Sequence, residues 1–161
     1  MKLSLAPYQK GHSNALDYCL DAVQSTYTRI PAQWLQSSDL IPEQHPITIL
    51  YEQTPIGFFI LDKSEHKRAY TDNPHALLFR SMSINPSRQG RGLAKETLKT
   101  ARLRTFIATH LPDADEIVLG VYPQNTAALA RYLASGFHDT GRTLMGRSGI
   151  QHILSQSLCV V

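Results

Sequence analysis

Residues Ile84 to Phe106, INPSRQGRGLAKETLKTARLRTF, set Gly90 and Gly92 among Arg88, Arg91 and Lys95, at the point where an apolar strand gives way to a helix. Glycines let the backbone approach a ligand closely. The first amides of a helix lack intrahelical acceptors, and with the helix dipole they form an anion site. A diphosphate suits such a turn. The P-loop pattern is absent, because no glycine precedes Lys-Ser or Lys-Thr. The dinucleotide pattern GxGxxG fails at Lys95, which stands where the third glycine belongs.

A second stretch, NTAALARYLASGF, places Asn125 and Tyr132 seven residues apart, two helical turns, on one face with Ala128 and Leu129. Asn125 suits a helix N-cap, and Gly136 suits a helix end. Ala128 is small where a long ligand could pass. Tyr132 reads either as a core aromatic or as a phenol turned toward that ligand.

The elements that must position these residues follow from hydropathy patterning. Lys2 to Ala6 alternates as an opening strand. Ser13 to Gln24 carries Ala15, Leu16, Cys19, Leu20 and Val23 at helical spacing, with Ser13 or Asn14 as cap, and Pro31 opens a second short helix with Trp34 and Leu35. ITILYEQTPIGFFILD reads as a hairpin of Ile47 to Glu52 and Ile56 to Asp62. Polar Lys63 to Pro74 is a loop, His75 to Ile84 a long strand, and Gly92 to about His110 a single helix. That helix has a small-residue stripe of Ala94, Leu98, Ala101, Thr105 and Ala108. Glu116 to Val121 is a doubly buried strand, Asn125 to Ser135 a helix, and Phe137 to Thr140 and Ile150 to Leu158 are closing strands.

Composition bounds the class. At 161 residues, 42% hydrophobic and 18% charged, the chain is expected to be one globular domain, 1–161. A net charge of +3 without a dense basic run interleaved with aromatics argues against nucleic acid. No apolar run is long enough for a membrane span, and the apolar part of the N-terminus is short for a signal peptide, so a cytoplasmic location with no membrane partner is expected. Cys19 and Cys159 form no metal-ligand pattern, so no metal is expected.

The segment Gln89 to Ala94 matches (Q/R)xxGx(G/A), and Asn125 to Phe137 matches NxxAxxxYxxxGF. Together, and in this order, they resemble the GNAT acetyltransferase superfamily over most of the chain. The resemblance implies an α/β (α+β) fold with a mixed, mostly antiparallel six- or seven-stranded sheet, about four flanking helices and a splayed pair of central strands. It implies acetyl-CoA as co-substrate and, as partner, a primary amine of a small molecule or peptide. Its pantetheine would pair with backbone groups of Met82, Ser83 and Ile84. Its diphosphate would take the amides of Gln89, Gly90, Arg91, Gly92, Leu93 and Ala94. Asn125 would bond the amide-bearing arm, and Tyr132 would donate a proton to the departing sulfur. Exposed sheet edges in such a fold would allow a homodimer.

The match departs from the family in one place. HALLFRSMSI, the long strand, has no Asp or Glu to act as base, and Arg80 occupies its middle. Asp72, His75, Glu43 and His45 can titrate, and a water relay would serve equally. Tyr18, Tyr27, Trp34, Asp21, Asp39 and Glu43 stand as candidates for receiving a cationic amine. The missing carboxylate leaves open a coenzyme A-binding sensor without catalysis. A nucleic-acid module built on Arg88, Arg91, Lys95, Lys99, Arg102 and Arg104 is explained more simply as a solvated helix face.

Overall fold

Two apolar runs separated by Glu52 and Gln53 fold into a hairpin of β2 (Gln44–Tyr51) and β3 (Thr54–Asp62), both turn residues having positive φ, +49° and +71°. A two-residue turn of that hand matches the right-handed twist of the strands it joins. The computed structural model describes residues 2–37 and 40–159. In it β1 (Leu3–Pro7) pairs with the outer side of β2 and β4 (Ala76–Ile84) with the far side of β3, all antiparallel. Beyond β4 come β5 (Glu116–Val121), β7 (Gly149–Ser157) and β6 (His138–Gly146), completing a seven-stranded sheet in the order β1-β2-β3-β4-β5-β7-β6.

Among the described residues, only β4 and β5 run parallel, and their register covers just Ala76–Leu78 against Glu116–Val118. From Phe79 onward β4 has no strand beside it on that side among the described residues. This is the splayed central pair expected, in an α/β sheet that is mixed and mostly antiparallel.

Among the described residues, five α-helices flank the sheet. The face bearing Ile49, Phe59 and Phe79 is covered by α3 (Leu93–Thr97), α4 (Thr100–His110) and α5 (Thr126–Ala134), through Leu93, Leu103, Phe106, Ile107 and Leu129. The opposite face, with Phe58 and Ile60, is covered by Leu16, Tyr18 and Trp34 of the N-terminal segment. Each such side chain, fully buried, contributes about 1.5–3 kcal/mol.

Three local expectations are corrected. Ser13 to Gln24 is not one helix: a 3₁₀ turn at Lys10–His12 continues into a turn in which the Leu16 amide bonds the His12 carbonyl at 3.1 Å, and then into irregular chain, with Leu16 and Tyr18 buried and Asp17 and Cys19 exposed. The helix α1 (Ala22–Tyr27) starts only after Asp21, whose carboxylate accepts from the Gln24 amide. The expected single helix from Gly92 to His110 is two, α3 and α4. At their junction Thr97 Oγ1 bonds back to the Leu93 carbonyl at 2.8 Å, Arg102 donates to the Glu96 carbonyl, and Thr100 Oγ1 donates to Ser135 at 2.9 Å. Hydroxyls that bond backbone in this way compete with the helical ladder. The buried face of α4 is Leu103, Phe106 and Ile107, while Ala101, Thr105 and Ala108 of the small-residue stripe are exposed. Finally, the closing strands extend to a full β6–β7 hairpin. Its outer strand is polar and exposed, which hid its alternation. The short helix α2 (Pro31–Leu35) forms as expected, with Pro31 in its first turn.

Candidate functional site

Where β4 and β5 part, a cleft of about 440 Å³ opens between β4, the glycine turn, α5 and α1. At one end the turn is shaped by Gly90 and Gly92, at φ +77° and +74°. A Cβ on either would meet nothing within 4 Å, so backbone conformation, not space, requires glycine there. The amides from Gly90 through Lys95 have no hydrogen-bond acceptor within the described residues. They await a ligand or water. Gln89 braces the turn, donating from Nε2 to the Ile84 carbonyl at 2.8 Å and accepting from Gln24 Nε2 at 3.0 Å.

In the middle of the cleft β4 is bulged. Its register with β3 shifts between Ile60↔Arg80 and Phe58↔Ser83, and Ser81 lies at φ +59°. Such a conformation is unfavourable for a residue with a Cβ by about 1–2 kcal/mol, and Trp34 Nε1 holds it by donating to Ser81 Oγ at 2.9 Å. Bulges of this kind re-aim backbone groups beside functional sites. Beneath the strand, a Cβ on Gly57 would fall 2.6 Å from the Ser83 carbonyl oxygen, so glycine permits the close approach of β3. Tyr18, buried, shares a hydrogen bond with Ser83 Oγ at 2.6 Å. Burial raises its phenol above the ordinary tyrosine value, against the Ser83 bond, which lowers it.

Tyr132 enters from α5, its ring edge-on to Phe79 and Phe137 at 6.1 and 5.8 Å. Its hydroxyl has no protein partner among the described residues. Burial pushes its pKa up to about 12, with the nearby Arg131 charge opposing, so at neutral pH it keeps its proton and can donate it. Asn125 caps α5 by accepting from the Ala128 amide at 3.4 Å.

Beyond the bulge lies Arg80. Its Nη1 contacts the fully buried Asp62 carboxylate at 3.2 Å, and its guanidinium carbon lies 5.1 Å from the Trp34 ring. Asp62 also accepts from Gln44 Nε2 at 3.0 Å and the Ser64 amide at 2.8 Å. Burial alone would raise its pKa, but these hydrogen bonds and the Arg80 charge hold it below the usual carboxylate value.

Met82, Ser83, Ile84, Gln89, Gly90, Gly92, Leu93, Ala94, Asn125 and Tyr132 all line this one cleft. Arg91 does not, its side chain being exposed. Among the acceptor candidates only Tyr27 lines the cleft. Tyr18 and Trp34 are core residues, Asp21 is a helix cap and Glu43 is exposed, while Asp39 lies outside the described residues. Asp72 and His75 are exposed and, like His45, stand off the cleft. Arg80, Ser81 and Tyr122 line it too. A lone cation in an apolar strand signalled Arg80, but the bulge at Ser81 left no trace in residue spacing. Among the described residues, no group of three or more His, Cys, Asp or Glu is placed to hold a metal, and no helix is long and apolar enough to cross a membrane.

Residues 14–137 match the model of the acetyltransferase (GNAT) family. An uncharacterised N-acetyltransferase of Bacillus subtilis strain 168, YbbJ, is 35% identical over 97% of this chain and 98% of its own length. Among solved structures, the aminoglycoside acetyltransferase AAC(6')-Ib in complex with coenzyme A and kanamycin superposes with a TM-score of 0.74 at 16% identity, covering 96% of this chain and 94% of that one. Spermidine N-acetyltransferase from Vibrio cholerae, in complex with CoA and spermine, gives 0.64 at 15% identity over 98% and 96%.

Proposed function

The chain belongs to the acetyltransferase (GNAT) family and is an acyltransferase that takes its acetyl group from acetyl-CoA; on that premise we propose that a primary amine of a small molecule or peptide attacks directly in the cleft along β4. The observation that carries this reading is the run of unpartnered amides from Gly90 to Lys95 opening onto the cleft that also holds the unpartnered Tyr132 hydroxyl. One binds; the other reacts.

In this assignment the amides of Gly90 to Ala94 hold the diphosphate, with Arg88 and Lys95 adding charge, while the Gln89 amide, expected to join them, is taken by the Pro86 carbonyl at 3.3 Å. Backbone groups of Met82, Ser83 and Ile84, which face no strand of the β5 side, pair with the pantetheine arm, and Asn125 bonds an amide of that arm. When bound, acetyl-CoA supplies a thioester, at whose carbonyl carbon the amine nitrogen forms a bond as the carbon–sulfur bond breaks. Backbone N–H near the bulge at Met82 polarises the carbonyl. Tyr132 passes its phenolic proton to the sulfur and regains one from solvent, while the proton lost by the amine leaves through water. Among the described residues no carboxylate or imidazole lines the cleft to take that proton directly.

Acetyl-CoA at about a hundred times its Kd should stabilise the native chain by about 2.7 kcal/mol, read as a rise in Tm. Thiol release should then require an added amine. No thermal shift at millimolar acetyl-CoA would end this assignment.

A further inference from the structure

The charged side chains lining the cleft, among the described residues, are Arg80, Arg88, Lys95 and Arg131, and no aspartate, glutamate or histidine joins them. Arg88 and Lys95 flank the glycine turn, and Arg131 precedes Tyr132 on α5. Arg80 stands apart from the turn. It lies on the other side of Met82, roughly 7 Å further along the strand at about 3.3 Å per residue. Side-chain alternation puts it on the face opposite Phe79 and hence opposite Tyr132. An acceptor held by Arg80 would thus reach the reacting point from the side away from the leaving sulfur's proton donor.

The guanidinium is already oriented. Asp62 fixes Nη1 at 3.2 Å and His66 Nδ1 lies 3.4 Å from the same nitrogen, while Nε and Nη2 have no acceptor among the described residues and the side chain stays 30% exposed. The Asp62 charge is shared with Gln44 and Ser64, so its partner keeps attraction for a second anion. A planar pair of donors with no protein acceptor matches a carboxylate. We propose that this free edge of Arg80 binds a carboxylate on the acceptor, so that the amine acetylated is that of a small α-amino acid or a close analogue. The proposal rests on the acetyl-transfer assignment above and names its substrate class.

Charge supports the same class from the amine's side. A cleft with only cations disfavours an ammonium and so favours the neutral, attacking form of the amine. The substrate's own carboxylate offsets that penalty for binding. A polyamine or aminoglycoside would bring several ammonium groups with no carboxylate to meet them.

The test uses the unaltered chain with acetyl-CoA, following thiol release for alanine, methionine and glutamate, for their carboxamides, and for spermidine and kanamycin. A free acid should be turned over with kcat/KM about tenfold or more above its carboxamide, as the loss of a charge-assisted hydrogen-bond pair implies. Arg80→Lys, which keeps the charge but loses the fork, and Arg80→Gln paired with Asp62→Asn, which avoids stranding a buried acid, should bring the acid-to-carboxamide ratio to about one. Both variants should still be stabilised by coenzyme A. Equal rates for acid and carboxamide in the unaltered chain, or turnover of spermidine or kanamycin alone, would overturn the proposal while leaving acetyl transfer standing. Absence of thiol release with every amine would overturn both.

Discussion

The two ends of the cleft are built from different material. From Gly90 to Lys95 the chain offers backbone amides, two left-handed glycines and the exposed side chains of Arg91 and Lys95. At Arg80 and Ser81 it offers side chains tied to distant partners: Trp34 on Ser81, Asp62 on Arg80, and nearby Tyr18 on Ser83. A backbone site recognises a compact, charge-dense group and depends on local conformation. A side-chain site depends on residues brought together by the whole fold, and it can vary the ligand it accepts without touching the first. One end suits a constant co-substrate, the other a variable acceptor.

The sharpest way to break this division is Gly92→Val. A β-branched residue at φ +74° would be driven out of that conformation, which costs an L-residue about 1–2 kcal/mol or more. The turn amides would be re-aimed, and losing even two charge-assisted hydrogen bonds weakens acetyl-CoA by about a hundredfold or more. Loss of the acetyl-CoA thermal shift is the expected result, and retention would make the turn structural only. Next in size is Tyr132→Phe, which keeps the ring contacts with Phe79 and Phe137 and removes the donor. General acids contribute about 10²–10⁴-fold, so kcat should fall by about a hundredfold while the thermal shift persists. With its pKa pushed up to about 12, the phenol keeps its proton as pH rises through the neutral range, so no alkaline loss of kcat below about pH 10 should trace to it.

How legible each end was follows from its material. The glycine turn and the Asn125–Tyr132 helix face are local, so two short motifs taken together, and the family they resemble, exposed them. β4, β5 and α5 were read within a residue or so because apolar runs and capping residues mark them directly. The segment from Leu16 to Leu20 carries helical spacing but folds as turn and irregular chain, because burial of Leu16 and Tyr18 against Phe58 and Ile60, which no local window contains, sets its course. The partnership of Asp62 with Arg80, and of Trp34 with Ser81, crosses 18 and 47 residues. No window on the sequence shows such pairs.

Asp62→Asn tests whether the acceptor end contributes to stability as well as to orientation. The carboxylate is fully buried and its pKa is held low by hydrogen bonds and Arg80 despite burial. A depressed carboxylate adds stability that is complete above its unfolded pKa and is lost as pH falls through the folded one. The variant should therefore be less stable at pH 7, by on the order of 2–3 kcal/mol given that Arg80 is partly solvated. The gap should narrow below about pH 4. Urea unfolding at both pH values measures it, and a gap independent of pH would assign the loss to packing instead of charge.

Tyr18→Phe is the smallest change and the finest probe of the boundary between the two ends. Tyr18 is buried and its hydroxyl meets both Ser83 Oγ and, at 3.2 Å, the Ser83 carbonyl. Removing it leaves Ser83 Oγ without that partner, a cost of about 1–2 kcal/mol. Ser83 lies between the bulge and the glycine turn, so its position bears on both. Because Gln89 independently anchors the turn to the Ile84 carbonyl, the cofactor end should keep its geometry. Tm should fall by a few degrees and the acceptor KM should rise, with the acetyl-CoA thermal shift intact. An equal loss of acetyl-CoA affinity would mean that β4 transmits strain past Ser83, and that backbone-built and side-chain-built ends form one cooperative site.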